Sequence, residues 1–260
     1  MLIGFLKSLG VYKLYERLLI DQVGRSPMPK HIGVVLDGNR RWAASRALPS
    51  ILGHEFGAKL GEDFLNWCLE LGIRTVTVYA FSTENFSRPE HEVNEILDNI
   101  EDQAKRLLKD PKIHNHRVRV KAIGRLDLLP ESLRRVLGTL EKTTETYEKH
   151  YLNIAVAYGG RAEIVDATKK IVEEVGDGRL ESSQITEELF DTYLYTAHLP
   201  NPHPDLIIRT SGEERMSGFL LWQSAYSEFC FLDVYWPDFR KIDLLRAIRT
   251  YQYRMRRFGR

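Results

Sequence analysis

Short apolar runs alternating with helical stretches leave this chain little choice of fold. Ile32 to Leu36, Thr75 to Phe81, Arg117 to Ile123, Leu152 to Tyr158, Asp205 to Arg209 and Phe229 to Val234 have the length and β-branched content of strands. Between them, apolar residues recur three and four positions apart. A short helical turn spans Arg40 to Arg46 and stops at Pro49, and a longer helix leads from Gly53 through Phe56, Leu60, Phe64, Trp67, Cys68 and Leu71 to Gly72. Further helices are predicted over Glu92 to Leu108, Pro130 to Lys149, Arg161 to Glu174, Thr186 onward, and Asp238 to Arg257. Strands joined through helices pair in parallel, and a parallel sheet needs both faces covered. The expectation is an α/β protein: a single domain with a central, mostly parallel β-sheet flanked by helices on both faces. Gly24 to Pro29 is a break, separating an N-terminal segment (residues 1–25) from a domain spanning 26–260.

In the N-terminal segment, Leu2, Ile3, Phe5, Leu6, Leu9, Tyr12, Leu14, Leu18 and Leu19 interleave with Lys7, Lys13, Glu16, Arg17 and Asp21. This is an amphipathic helix, which either packs on the domain or lies at a membrane surface. Its charges interrupt any signal-peptide core, and no apolar run approaches the roughly 20 residues needed to span a bilayer. Formal net charge is +1, so no bulk electrostatic pull toward nucleic acid exists and any phosphate site must be built from local arginines. Cys68 and Cys230 stand far apart and suggest neither a disulfide framework nor a zinc site. A cytoplasmic protein is expected, with at most a peripheral contact at the cytoplasmic face of the membrane.

The strand ends carry the chemistry. The run HIGVVLDGNRRW stops abruptly at Asp37-Gly38-Asn39 and is followed by Arg40, Arg41 and Trp42. Taken alone this is either a plain strand–turn–helix junction or a phosphate loop, in which Asp37 holds Mg²⁺, turn amides cradle oxygens and a guanidinium fork grips them. Three more strands end in groups suited to anions: Ser82-Thr83-Glu84-Asn85, Tyr158-Gly159-Gly160-Arg161 and Arg209-Thr210-Ser211, with Arg215 and Ser217 able to join them. In a parallel sheet these ends share one rim. Several arginines on one edge of a nearly neutral protein imply a strongly anionic ligand, with Asp37 and a second acid such as Glu228 as metal ligands. No G-x-G-x-x-G, no P-loop and no zinc-protease helix occurs, and His54 reads as a phosphate donor or a core residue.

HIGVVLDGNRRWA, Gly53-His54 with Gly57, YAFSTENFSRP, LNIAVAYGGR and the stretch from Ile208 to Phe239 together resemble the cis-prenyltransferases, the undecaprenyl and dehydrodolichyl diphosphate synthases, over roughly residues 28–259. The resemblance implies the fold of that family, a homodimer, Mg²⁺, and repeated condensation of isopentenyl diphosphate onto an allylic diphosphate such as geranylgeranyl or farnesyl diphosphate. The product would be a long-chain polycis-polyprenyl diphosphate, precursor of a glycosyl carrier lipid. PMPKHI and HPDLIIRTSGE look closer to the archaeal and eukaryotic branch than to the bacterial one.

The resemblance also assigns residues. Asp37 and Asn85 are catalytic, Asn85 as a proposed proton acceptor or as a positioning group. Gly38, Asn39, Arg40, Arg41, Trp42 and His54 contact the allylic diphosphate. Ser82, Thr83, Glu84, Phe86 and Arg88 belong to a substrate loop, and Arg209, Arg215, Met216 and Ser217 to the isopentenyl diphosphate site. Asp37 and Glu228 are the metal ligands, and Arg257-Phe258-Gly259 reaches the partner's substrate. Where bacterial members carry an arginine, this chain has Ser50, for which Arg46 is a candidate substitute. Ile96, Leu97, Ile100, Leu107 and Leu108, with strands 32–36 and 152–158, are either walls of a hydrocarbon tunnel or ordinary core. The alternative function is that of a non-catalytic partner subunit, which the presence of Asp37, Asn39 and Arg41 disfavours. An unrelated phosphate-binding α/β protein is disfavoured by the number of matching motifs.

Overall fold

The computed structural model describes residues 11–255. In chain order the main elements are α1 (Val11–Gly24), β1 (His31–Val35), α2 (Asn39–Ala44), α3 (Ser50–Glu70), β2 (Thr75–Ser82), α4 (Glu90–Lys109), α5 (Pro111–Asn115) and β3 (Val118–Ile123). They continue with α6 (Glu131–Thr144), β4 (His150–Tyr158), α7 (Gly160–Gly176), α8 (Glu187–Asp191), β5 (Leu206–Arg209), β6 (Glu228–Phe231) and α9 (Lys241–Met255). The strands form one sheet in the order β3-β4-β2-β1-β5-β6, parallel throughout. From β1 the chain moves next to β2 on one side and returns much later to β5 on the other. The gap between the β1 and β5 ends is therefore the topological switch point, where open α/β sheets bind ligands.

Alternate residues of each strand face opposite layers. Ile32, Val34, Val76, Ile154 and Ile208 pack under Phe64 and Cys68 of α3, Ile96 and Leu97 of α4, Leu133 and Leu137 of α6, and Leu244, Leu245 and Ile248 of α9. Val35, Tyr79, Ala155 and Ile207 face a smaller cluster with Phe219 and Leu220. On that second face Glu163 of α7 accepts from Tyr158 Oη, from Tyr195 N at 2.8 Å and from Gln223 Nε2 at 2.9 Å, which ties residues 195–223 to the sheet.

α1 packs on α9. Its Leu19 and Val23 are buried, Arg249 donates to Gln22, and Gln252 Nε2 donates to the carbonyls of Val23, Ser26 and Pro27. Leu14 and Leu18 stay 60% and 55% exposed on its other side. Residues 1–10 of the expected amphipathic helix lie outside the described residues. No described helix is long and apolar enough to cross a membrane.

Among the boundaries that differ from expectation, three show their physical cause. The helix predicted to reach Lys149 stops at Thr144, whose hydroxyl turns back to the Leu140 carbonyl at 2.9 Å and accepts from Val120 N at 3.0 Å. The acidic helix from Thr186 is only Glu187–Asp191, opened by the Thr186 hydroxyl accepting from Leu189 N. Pro49 does not merely stop a turn; it sits at the N-terminus of α3, where a missing N–H costs nothing.

Gly53 sets the approach of α3 to α2. A Cβ there would sit 2.2 Å from the Asn39 carbonyl oxygen. Gly53→Ala is therefore expected to destabilise the fold by about 3 kcal/mol, the upper range for an overpacked site, which thermal unfolding would register.

Beneath the second face runs a buried polar chain. His31 is hydrogen-bonded to Thr77 Oγ1 at 2.8 Å and to the Asn201 carbonyl at 3.0 Å, and His198 contacts Asn153 Oδ1 at 2.9 Å. Burial pushes His31 down to about 3 and His198 to about 4, from the usual 6.5. The unfolded chain therefore binds more protons than the native state at pH values below 6.5. Stability is fully present above that value and is lost as pH falls toward 4 and then 3. His31→Gln is expected to flatten this acid slope, read from denaturant midpoints between pH 4 and 7.

Candidate active site

At the switch point, Asp37 follows the end of β1 and Arg209 ends β5. The Arg209 guanidinium, 5% exposed, donates from Nη2 to Asp37 Oδ2 at 2.8 Å and from Nη1 to Ser217 Oγ at 2.7 Å and to the Arg215 carbonyl. Thr210 fixes the backbone beneath: its hydroxyl donates to the Asp37 carbonyl at 2.7 Å and accepts from Asp37 N at 3.1 Å. Burial works against the Asp37 charge, but the Arg209 hydrogen bond and charge, with Arg41, outweigh it and hold the carboxyl below its usual range. Gly38 caps α2 at φ 103°, and a Cβ there would meet the Tyr235 ring at 2.8 Å. A side chain is thus excluded by both conformation and space.

The adjacent arginines of α2 diverge. Arg41 donates to Ser211 Oγ at 2.6 Å and Glu213 Oε1 at 3.0 Å, lies 3.4 Å from Asp37 Oδ1, and stands over the Tyr235 ring. Glu213 also pairs with Arg215 at 2.5 Å. Ser211 and Ser217, the hydroxyl partners of Arg41 and Arg209, have φ of 79° and 47°, backbone strain gathered at the site. Arg40 instead pairs with Glu92, as does Arg88. His54 Nε2 and Asn39 Oδ1 are buried without a partner. Burial, then the nearby Arg88, pushes His54 down to about 4 against the opposing pull of Glu92, so the imidazole is neutral near pH 7.

From this charged mouth a cavity of 570 Å³ runs inward between α3, α4 and the sheet. Asp37, Asn39, His54, Ser82, Glu84, Asn85, Arg88, Arg209 and Ser217 line it at the polar end. Phe64, Leu65, Val78, Ala80, Ile96, Ile100, Ala104, Leu107, Leu152 and Ile154 line its apolar length. An arginine-bearing entrance opening into a largely apolar interior, with Glu62, Asn99 and Gln103 its polar exceptions, suits one ligand class: an anionic headgroup carrying a hydrocarbon chain.

Residues 35–259 match the family described as "Putative undecaprenyl diphosphate synthase". The chain belongs to the cis-prenyltransferase family. This prenyltransferase is 53% identical over 250 residues to the geranylgeranyl-diphosphate-specific tritrans,polycis-undecaprenyl-diphosphate synthase of Methanopyrus kandleri, covering 96% of this chain and 92% of the relative. It is 51% identical to the isoprenyl transferase of Thermus thermophilus, covering 97% of each. Among solved structures, lavandulyl diphosphate synthase from Lavandula x intermedia, in complex with dimethylallyl diphosphate, superposes with TM-score 0.82 at 35% identity, over 86% of this chain and 95% of that one.

Not every expected residue of the prenyltransferase reaches the cavity. Asp37, Asn39, His54, Ser82, Glu84, Asn85, Arg88, Arg209 and Ser217 converge on it, while Gly38, Arg40 and Arg41 flank the mouth. Trp42 does not line it; the indole donates to Asp238 at 2.8 Å. Arg46, offered as the substitute for the arginine missing at Ser50, stacks 4.4 Å from the Trp42 ring and pairs with Asp238 at 2.9 Å, which commits it elsewhere. Thr83 packs against Gly159, and Phe86 packs edge-on against Phe81 in the core. Arg215 contributes its carbonyl to Arg209, while its side chain is 65% exposed. Met216 is half-buried beside it, outside the cavity lining, and Arg161 is exposed.

Glu228 stands apart from the other expected site residues of this chain. Parallel register aligns it with Leu206 at the start of β5, so it lies at the opposite rim of the sheet from Asp37, paired with Arg254 at 3.0 Å. Within this chain it cannot share a metal with Asp37. Arg257, Phe258 and Gly259 lie outside the described residues. Of the expected tunnel walls, Ile96, Ile100 and Leu107 face the cavity, whereas Leu97 and Leu108 do not; the α3 wall of Gly57, Ala58, Gly61 and Leu65 was not anticipated. Nor were Glu92 and Glu213. The Arg88–Glu92 spacing of one helical turn was a readable signal for the first of these.

Among the described residues no cluster of three potential ligands exists for a metal ion. An ionised Asp37 in the cavity lining nevertheless fits Mg²⁺, which takes one or two carboxylates and completes its shell with substrate phosphates and water.

Proposed function

We propose that this prenyltransferase condenses isopentenyl diphosphate repeatedly onto an allylic diphosphate, with Mg²⁺, to give a long-chain polycis-polyprenyl diphosphate that serves as a glycosyl carrier precursor. The continuity of the arginine-bearing mouth with the largely apolar cavity carries the proposal. Geranylgeranyl diphosphate is the proposed primer, supported by the archaeal relatives, which are named as geranylgeranyl-diphosphate specific. A homodimer, and a peripheral membrane contact through the exposed Leu14 and Leu18 face of α1, complete the reading.

Breaking the allylic C–O bond leaves a delocalised cation and a diphosphate anion. Mg²⁺ held by Asp37 would supply charge to the leaving oxygens. Arg41, Arg88 and Arg209 already stand at fixed positions, so they stabilise that anion without reorganising; preorganised donors of this kind are worth about 3–4 kcal/mol each. Neutral His54 brings an unpartnered ring nitrogen to the same mouth. The isopentenyl π-bond then attacks the allylic carbon, and one proton leaves the new cation. The Asn85 side-chain oxygen already accepts from Ser82 N at 3.0 Å within a capping box that shapes the 83–87 turn. Asn85 therefore acts by positioning that turn, and the proton leaves to a diphosphate oxygen or water. Each added unit moves its hydrocarbon along Leu65, Ile96 and Ile100, where burial contributes about 0.8 kcal/mol per CH₂.

Incubation with labelled isopentenyl diphosphate, Mg²⁺ and geranylgeranyl or farnesyl diphosphate should yield solvent-extractable polyprenyl products, with the geranylgeranyl primer extended faster. Chelation of the metal should abolish them. No extension from any primer would overturn the proposal.

A further inference from the structure

We infer that Glu92 is a positioning residue that orders two arginines at the mouth of the diphosphate site, Arg88 and Arg40, from two separate segments through one shared carboxylate. Glu92 sits in the first turn of α4, is nearly buried, and lies outside the cavity lining. Its Oε1 accepts from Arg88 Nη1 at 2.8 Å and its Oε2 from Arg40 Nη1 at 3.3 Å. Arg88 follows the 83–87 turn, while Arg40 belongs to α2 after β1, so the carboxylate bridges the two segments that frame the cavity mouth.

The geometry of the fork gives the bridge its use. A guanidinium has five N–H donors in a fixed plane, and Glu92 takes one terminal nitrogen from each. The remaining donors of each arginine stay available for an incoming anion, while one hydrogen bond tethers each guanidinium to the carboxylate. Two guanidinium groups held side by side would repel and diverge without a charge between them. The same helix carries Ile96, Ile100, Ala104 and Leu107 along the cavity, so Glu92 also fixes the headgroup contacts relative to the wall that receives the chain.

The inference rests on the mouth being a diphosphate site, and it makes a prediction opposite in sign to simple electrostatics. Glu92→Gln removes a negative charge from an anion site. On charge alone, inorganic diphosphate should bind more tightly. If Glu92 orders the arginines, binding should weaken by at least roughly fivefold, because an amide accepts from one arginine and repels the other with its NH₂ group.

The test is calorimetric titration of inorganic diphosphate, in constant Mg²⁺, into the unaltered protein, Glu92→Gln, Arg88→Ala and the double variant. Weaker binding in Glu92→Gln, with an effect at least threefold smaller in the Arg88→Ala background, is expected. Tighter or unchanged binding in Glu92→Gln would overturn the inference. So would a weakening that persists in full without Arg88, as misfolding would produce. Absence of diphosphate binding in the unaltered protein would remove the site reading and the inference together; binding there, without weakening in the variant, would remove the inference alone.

Discussion

Asp37→Asn is expected to lower turnover by roughly three orders of magnitude while the melting temperature stays close to that of the unaltered protein. Asparagine keeps the shape and one acceptor for Arg209 Nη2, and the backbone bonds of residue 37 to Thr210 are untouched. What disappears is the negative charge that would hold the metal and balance Arg209 and Arg41. Single-turnover extension measured beside thermal unfolding separates the two effects. Turnover retained within tenfold would remove Asp37 from the chemistry.

Arg209→Ala should cost as much activity but differ in stability. The side chain is buried and ties Asp37, Ser217 and the Arg215 carbonyl together, so its loss leaves the Asp37 carboxylate without its principal partner and the 211–217 loop without its anchor. Breaking a buried pair in this way costs about 3–5 kcal/mol. At about 2–4 °C per kcal/mol for a domain of this size, the melting point should fall by roughly 10 °C. A pH signature accompanies it. With Arg209 present, the Asp37 pKa is depressed; without it, the burial that opposes the charge is no longer outweighed, and the pKa rises. The acid limb of the residual pH–rate profile should therefore move to higher pH. An unmoved limb would show that Asp37 is not the group titrating there.

The layout of the fold was readable because a parallel sheet buried on both faces writes itself as apolar runs ending in polar turns. The cavity's polar end was readable for the same reason: Asp37, Ser82 and Arg209 each lie at or just past a strand end. What the pattern hides is which way a side chain turns. Trp42 belongs to the same motif as Arg41, yet its indole is drawn to Asp238, nearly two hundred residues later in sequence. Glu228 is a second metal ligand by the family resemblance. Register shows what the motif does not: β6 begins where β5 begins, which puts Glu228 a strand length from Asp37 of the same chain. The His31–Thr77–Asn153–His198 chain was equally invisible, because polar residues inside strands read as interruptions until their partners across the sheet are known. The α3 wall was hidden by its glycines and alanine, which carry no apolar signal but leave the space the cavity occupies.

The most direct measurement is a crystal structure of the protein with Mg²⁺ and a non-hydrolysable thio analogue of geranylgeranyl diphosphate. Density for the diphosphate is expected between Asp37, Asn39, Arg41 and His54, with the hydrocarbon running past Leu65 between Ile96 and Ile100. A headgroup bound away from Asp37, or a chain lying outside the space between α3 and α4, would contradict the assignment of this cavity as the prenyl-transfer site.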